Sequence, residues 1–183
     1  AIENRDDLFL ESFGKKDGVW ISGFPNDFEF TGCSVSGIGN VNGDRNDSTN
    51  GSIDDIIIGA WGAGEDDSGS AFIVYGSSSP HEHIDLSSMS HGEGVHIKGF
   101  SATHKNLGSS VCGAGDVNGD GYPDILVAAD AHTQADPNFE APIYLIYGPQ
   151  AHKQDSEGNP AEFPLTLDLS GDAPFGIDWV KLT

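Results

Sequence analysis

Positive charge is scarce in this chain. Eight Lys and Arg stand against 29 Asp and Glu over 183 residues, a formal charge of −21. Nucleic acid and anionic membrane surfaces both reward positive charge, so the balance argues against either as a partner and suits a protein that meets cations. Long apolar runs are missing too: none approaches the ~20 residues that a spanning helix needs. The opening Ala1-Ile2-Glu3-Asn4 does not read as a signal peptide, which fits a mature, processed product or a piece of a longer chain. Two cysteines, Cys33 and Cys112, are too few for a disulfide scaffold. They are expected to be small buried residues, with a bridge between neighbouring units as the alternative. No segment keeps a helical period. A phosphate-cradling glycine loop, zinc-ligand spacing and a nucleotide fingerprint are all missing. So is an acid–base pair outside the turns, which leaves no candidate catalytic residue.

What the chain does have is an acidic nonapeptide, Asp116-Val-Asn-Gly-Asp-Gly-Tyr-Pro-Asp124. Oxygen-bearing side chains fall at positions one, three, five and nine: Asp116, Asn118, Asp120 and Asp124. Gly121 sits at position six, where a sharp turn favours glycine. A hard cation such as Ca2+ takes about six to eight oxygens, and the backbone carbonyl of Tyr122 is placed to add one. Three carboxylates in nine residues repel one another unless a cation lies between them. This is not an EF-hand, because position twelve is Val127 rather than Glu. The flanks Ser110-Val-Cys112 and Ile125-Leu-Val127 are short and β-rich, so they read as strands and the ion would clip a strand–loop–strand turn.

The chain also repeats itself, at a period that points to a blade-like array. Leu8-Phe-Leu10 and Gly18-Val-Trp-Ile-Ser-Gly-Phe24 return 76 residues later as Ile84-Asp-Leu86 and Gly94-Val-His-Ile-Lys-Gly-Phe100. Gly39-Asn-Val-Asn-Gly-Asp44 returns as Gly115-Asp-Val-Asn-Gly-Asp120. Beyond the loop, Asp55-Ile-Ile-Ile-Gly-Ala60 matches Asp124-Ile-Leu-Val-Ala-Ala129 at an offset of 69, so the first unit carries seven extra loop residues. Ser70–Gly76 matches the stretch ending at Tyr147-Gly148, and Leu165–Ser170 with Gly176–Val180 opens a third unit. The resulting division is 1–17 as a lead-in strand, 18–83 and 84–164 as two blades, and 165–183 as the start of a third. Each full unit holds about four strands, so the expected class is all-β, in propeller blades of four antiparallel strands.

The pattern Gly-x-Ser-Val-x-x-x-Gly-Asp-Val-Asn-Gly-Asp-Gly-x-x-Asp-Ile-Leu-Val-x-Ala resembles the FG-GAP repeat of integrin α propellers and of microbial and algal surface proteins. The likeness covers about residues 8 to 180. It implies a seven-bladed ring with the strand before the loop innermost and Ca2+ in the loop between the first and second strands of a blade. By that resemblance Asp116, Asn118, Asp120 and Asp124 are metal ligands, and Asn40, Asn42, Asp44 and Asp55 are their counterparts. The first loop departs from the pattern: Asn40 replaces the leading Asp and Arg45 the turn glycine, while Asp47 or Asp54 offers a substitute ligand. The resemblance also implies an extracellular or cell-surface module with a structural, adhesive or assembly role. The competing reading is the propeller part of a secreted glycan- or lipid-active hydrolase.

Two complete units and part of a third do not close a ring. The expected partners are further blades from the same or another chain, further copies in a head-to-tail oligomer or filament, or a protein or glycan ligand. Asn46-Asp-Ser48 and Asn50-Gly-Ser52 are N-glycosylation sequons within the loop insertion. His81-Glu-His83 offers a weak transition-metal pair, Ser109-Ser110 reads as structural, and Glu65-Asp-Asp67 and Asp130, Asp136 and Glu140 read as solvated acidic loops. His96 aligns with Trp20, which marks it as a packing residue.

Overall fold

The structure is a computed structural model that describes residues 18–23, 29–46, 51–64, 68–79, 81–99, 106–130, 142–149, 164, 166–169 and 179–182. Among these residues there are strands and no helix, as the alternating apolar pattern predicts.

The first sheet has an antiparallel body of four strands: β2 (Ser34–Gly39), β5 (Asp55–Ala60), β6 (Ser70–Val74) and β8 (Gly94–Lys98), paired in that order. The second sheet repeats the arrangement with β9 (Ser110–Gly115), β10 (Asp124–Ala128), β11 (Ile143–Ile146) and β13 (Trp179–Leu182). Two further pairings are parallel. β7 (His83–Asp85) lies along β1 (Trp20–Ser22), and β12 (Thr166–Asp168) along β8 as a fifth strand of the first sheet. The loop insertion folds as a small hairpin of β3 (Arg45–Asn46) and β4 (Gly51–Ser52). Sequence period and sheet are thus offset by one strand. Gly94–Lys98, which opens the second sequence unit, finishes the first sheet, and Trp179–Leu182 from the third unit finishes the second.

The two sheets stack face to face. Alternate residues Ile57, Ile73, Val95 and Ile97 of the first sheet bury against Val111, Ile125, Val127, Tyr144 and Ile146 of the second, all in one cluster. Removing a side chain of this size from water contributes roughly 1.5–3 kcal/mol. A second cluster covers the opposite face of the first sheet, where Ile58, Phe72 and Val74 pack on Ile84, Leu86 and Met89, with Val19 and Ile21 at its edge. β2 and β9 lie side by side at the sheet edges. The Ser34 hydroxyl accepts from Val111 N at 3.0 Å and that of Ser36 from Gly113 N at 3.4 Å. Edge-strand amides that would otherwise stay open are met by serines of the neighbouring sheet.

His96 is a packing residue. Its ring stacks on Phe72 at 4.4 Å, its Nε2 lies 2.9 Å from Ser70 Oγ, and its pKa is pushed down to about 4, first by burial and then by the Lys98 ammonium. The cysteines correct the expectation of burial: Cys33 and Cys112 are both exposed and unbridged. Cys112 takes the repeat position of Ser36, on the face of β9 turned away from the first sheet, so no described residue closes over it.

Candidate metal centre

Both acidic loops leave an inner strand at the same irregularity. Pairing slips between Gly37 and Gly39 in β2–β5, and between Asp124 and Ile125 in β9–β10. A bulge of this kind re-aims the chain. Gly39 (φ +70°) and Gly115 (φ +72°) then turn it into the loop in the left-handed region that favours glycine.

In the second loop the side chains fold back on the turn. Asp116 Oδ1 accepts from Gly119 N at 2.7 Å and Asp120 N at 3.0 Å, and Oδ2 accepts from Gly121 N at 2.8 Å. Asn118 Oδ1 accepts from Asp120 N at 3.0 Å, while its Nδ2 donates to Asp120 Oδ2 at 2.9 Å. Asp120 Oδ1 accepts from Tyr122 N at 2.9 Å. Asp116 and Asn118 are exposed, and Asp120 and Tyr122 half-buried. The first loop shares the central pairing: Asp44 N donates to Asn42 Oδ1 at 3.0 Å and Asn42 Nδ2 to Asp44 Oδ2 at 3.2 Å. It differs at the first position. Asn40 turns its amide NH2 onto Asp44 O at 2.6 Å, and both Asn40 Oδ1 and Asp44 Oδ1 are shielded from solvent with no hydrogen-bond partner.

The last aspartate of each loop does something the sequence did not reveal. Asp124 is fully buried, and its two oxygens accept from Val117 N at 2.7 Å and Gly148 N at 2.9 Å. Asp55, 1% exposed, does the same with Val41 N and Gly76 N, both at 2.8 Å. Each carboxylate clamps its loop to the glycine two residues beyond the third strand, Gly76 or Gly148. The signal was present in the repeat, since Gly76 and Gly148 recur with the aspartates, but periodicity alone names no hydrogen bond. Burial is the largest influence on Asp55, raising its pKa to about 6 against the pull of the Gly76 and Val41 amides.

The loops are neighbours. A cleft of about 760 Å³ runs between them, with Asn40 and Gly43 on one wall and Asp120, Tyr122 and Pro123 on the other. Asp54 and Ser52 also reach it. Among the described residues no three His, Cys, Asp or Glu side chains converge as a ready cage. The donor set is nevertheless all oxygen in both loops, and the two orphan oxygens of the first loop are what a hard cation would satisfy.

The other candidates do not converge. His83 bonds to Ser22 Oγ at 2.8 Å and stacks on Trp20, whereas His81 faces Glu93 at 3.8 Å. Ser109 Oγ donates to Ala128 O at 3.2 Å, a structural bond. Asp47, Asn50, Glu65–Asp67, Asp136 and Glu140 lie outside the described residues, as does the side chain of Asn46.

Stacked four-stranded sheets, each with an acidic turn between its first two strands, define an all-β repeat protein. Residues 107–144 match the FG-GAP repeat family. The chain's similarity extends to an integrin α subunit, integrin alpha pat-2 of Caenorhabditis briggsae, at 29% identity over 122 residues. That match takes in 64% of this chain but 9% of the integrin, so the chain spans a small part of that relative's length.

Proposed function

We propose that the chain is a calcium-braced, extracellular blade module with a structural or adhesive role and no chemistry of its own. The observation that carries this reading is the pair of solvent-shielded, partnerless oxygens on Asn40 and Asp44, set in a loop whose counterpart repeats its other donors, Asn42, Asp44 and Asp55, as Asn118, Asp120 and Asp124. A divalent ion in the second loop would be held by Asp116, Asn118, Asp120 and the Tyr122 carbonyl, with Asp124 behind them. In the first loop Asn40, Asn42 and Asp44 would hold it, with Asp55 behind. The ion would neutralise carboxylates that otherwise repel and fix the turn that aims each second strand.

Similarity to an integrin α subunit supports placing the module outside the cell, with a protein or glycan as its ligand. Among the described residues no helix is long and apolar enough to cross a membrane. In such a setting the sequons at Asn46 and Asn50 would carry glycans, which intact-mass measurement of the native protein reads directly. The test of the metal is thermal: EGTA should lower the melting temperature, and Asp120→Ala should remove most of that difference. A melting temperature indifferent to EGTA and to added calcium would defeat the reading.

A further inference from the structure

Three Asn-Gly pairs occur in the chain, at 42–43, 50–51 and 118–119. In such a pair the unhindered glycine nitrogen can attack the asparagine side-chain carbon, which is how an asparagine loses its amide without an enzyme. Two of the pairs hold the same place in the two acidic loops and control for one another. Asn42, Gly43, Asn118 and Gly119 are all exposed. Gly43 and Gly119 share one backbone conformation, with φ of +73° and +76°. The asparagines are held alike. Oδ1 accepts from the backbone N–H of Asp44 or Asp120 at 3.0 Å, and Nδ2 donates to the carboxylate of that same residue, at 3.2 Å in the first loop and 2.9 Å in the second. That N–H also points at the oxygen on which negative charge develops during attack, so the electrophile is prepared in both loops.

The glycine nitrogens differ. Gly119 N donates to Asp116 Oδ1 at 2.7 Å, so the nucleophile of the second loop is tied to a carboxylate. Attack requires that nitrogen to give up its proton, and a negative charge beside it opposes the anion that forms. In the first loop the residue at that place is Asn40, whose amide turns instead onto Asp44 O at 2.6 Å. Among the described residues no acceptor takes the Gly43 N–H.

We propose that Asn42 is a site of spontaneous deamidation and that Asp116 guards Asn118 from the same reaction. Solvent base takes the Gly43 N–H proton, and the nitrogen forms a bond to Asn42 Cγ. The Cγ–Nδ2 bond breaks, the side-chain nitrogen leaves as ammonia with a proton returned from solvent, and a cyclic imide remains. Water opens the ring at either carbonyl, to an aspartate or to a β-linked isoaspartate at position 42. One water is consumed and one ammonia released, with no redox partner. The aspartate product adds a carboxylate to the loop in which Asn40 has replaced one. The isoaspartate product lengthens the main chain inside the turn. The inference stands on the hydrogen bonds of the loops and not on the calcium reading.

The test keeps the whole folded chain in EGTA at mildly alkaline pH and follows each asparagine by peptide mapping and mass spectrometry. Asn42 should convert about tenfold or more faster than Asn118, the scale of losing a hydrogen bond to a charged acceptor. Asn40→Asp, which returns a carboxylate to the guarding place, should slow Asn42 by a similar factor. Asp116→Asn, which copies the first loop, should bring Asn118 up to the parent rate of Asn42. In urea the two sites should convert at one rate, because only the Asn-Gly sequence then acts. Asn50, outside the described residues, is scored separately. Equal rates in the folded parent, an Asn42 rate indifferent to Asn40→Asp, or a difference that survives in urea would overturn the proposal. None of these results bears on whether EGTA lowers the melting temperature, so the two readings fail separately.

Discussion

Replacing Asp124 by Asn tests the clamp separately from any metal. The side chain is fully buried, and its two oxygens receive the Val117 and Gly148 amides. Asn keeps one acceptor oxygen and sets an NH2 where the other stood. One charge-assisted bond is lost, at roughly 1.5–3 kcal/mol, and an N–H then faces an N–H in a site shielded from water. The expected cost is about 2–4 kcal/mol, which in a chain of this size lowers the melting temperature by roughly 5–15 °C. Urea and thermal unfolding in EGTA would measure it with metal excluded. Asp116→Asn is the control, because Asp116 is exposed and water can replace what it loses; its cost should stay below about 1 kcal/mol. A metal-free Asp124→Asn protein within about 0.5 kcal/mol of the parent would refute the clamp, since ordinary surface changes fall in that range.

Three other outcomes follow from the same geometry. His96 has a folded pKa below its unfolded value of 6.5, so the unfolded chain binds the extra proton first. Its contribution is intact above pH 6.5 and is lost as pH falls toward about 4, at most roughly 3 kcal/mol in all; urea midpoints at pH 7 and pH 4.5 should show that slope, and His96→Phe should flatten it. A Cβ on Gly59 would come within 2.0 Å of the Gly108 carbonyl oxygen across the sheet seam, so Gly59→Ala should cost about 3 kcal/mol or prevent folding, as circular dichroism melting would reveal. In calcium titrations followed by calorimetry, Asn40→Asp should tighten binding to the first loop by about tenfold, because it restores a charged oxygen where a neutral amide stands.

Much of the sheet structure was legible because β-strands announce themselves twice, by alternation and by repetition. Ile57 and Ile73 bury against the second sheet, while their alternates Ile58 and Phe72 bury in the cluster on the opposite face. Less legible was which sheet a strand joins. Gly94–Lys98 looks like the opening of a unit when the sequence is read by period, yet it bonds backward to β6. Pairing depends on three-dimensional reach, which period does not encode. The loop residues were recognised as a donor set, but not the division of labour within it. Asp116 and Asp124 are the same residue type eight positions apart. One is exposed and gathers three amides of its own turn, while the other is buried and reaches a different strand. Burial decides that difference, and only the folded chain supplies it.

The turn before each inner strand shows how far the fold overrides local preference. Phe30 and Asn106 stand 76 residues apart and hold φ of 52° and 61°, the two non-glycine residues described in that region. Asn tolerates the conformation; for Phe it costs on the order of 1–3 kcal/mol and persists only where the surroundings impose it. In the second unit the Asn106 amide donates to Asp130 O at 3.1 Å. In the first, the Phe30 ring stacks on Trp61 at 4.2 Å and 11°, and Trp61 occupies the repeat position of Asp130. Both residues of the pair have changed together and the backbone has not. Cys33 N bonds to Phe30 O at 3.1 Å and Ser109 N to Asn106 O at 3.2 Å, so the turn itself is common to both. Its shape is set by where the inner strand must begin if Ser34 is to meet Val111 across the seam, and the side chains at its tip are then free to find whatever contact that shape allows.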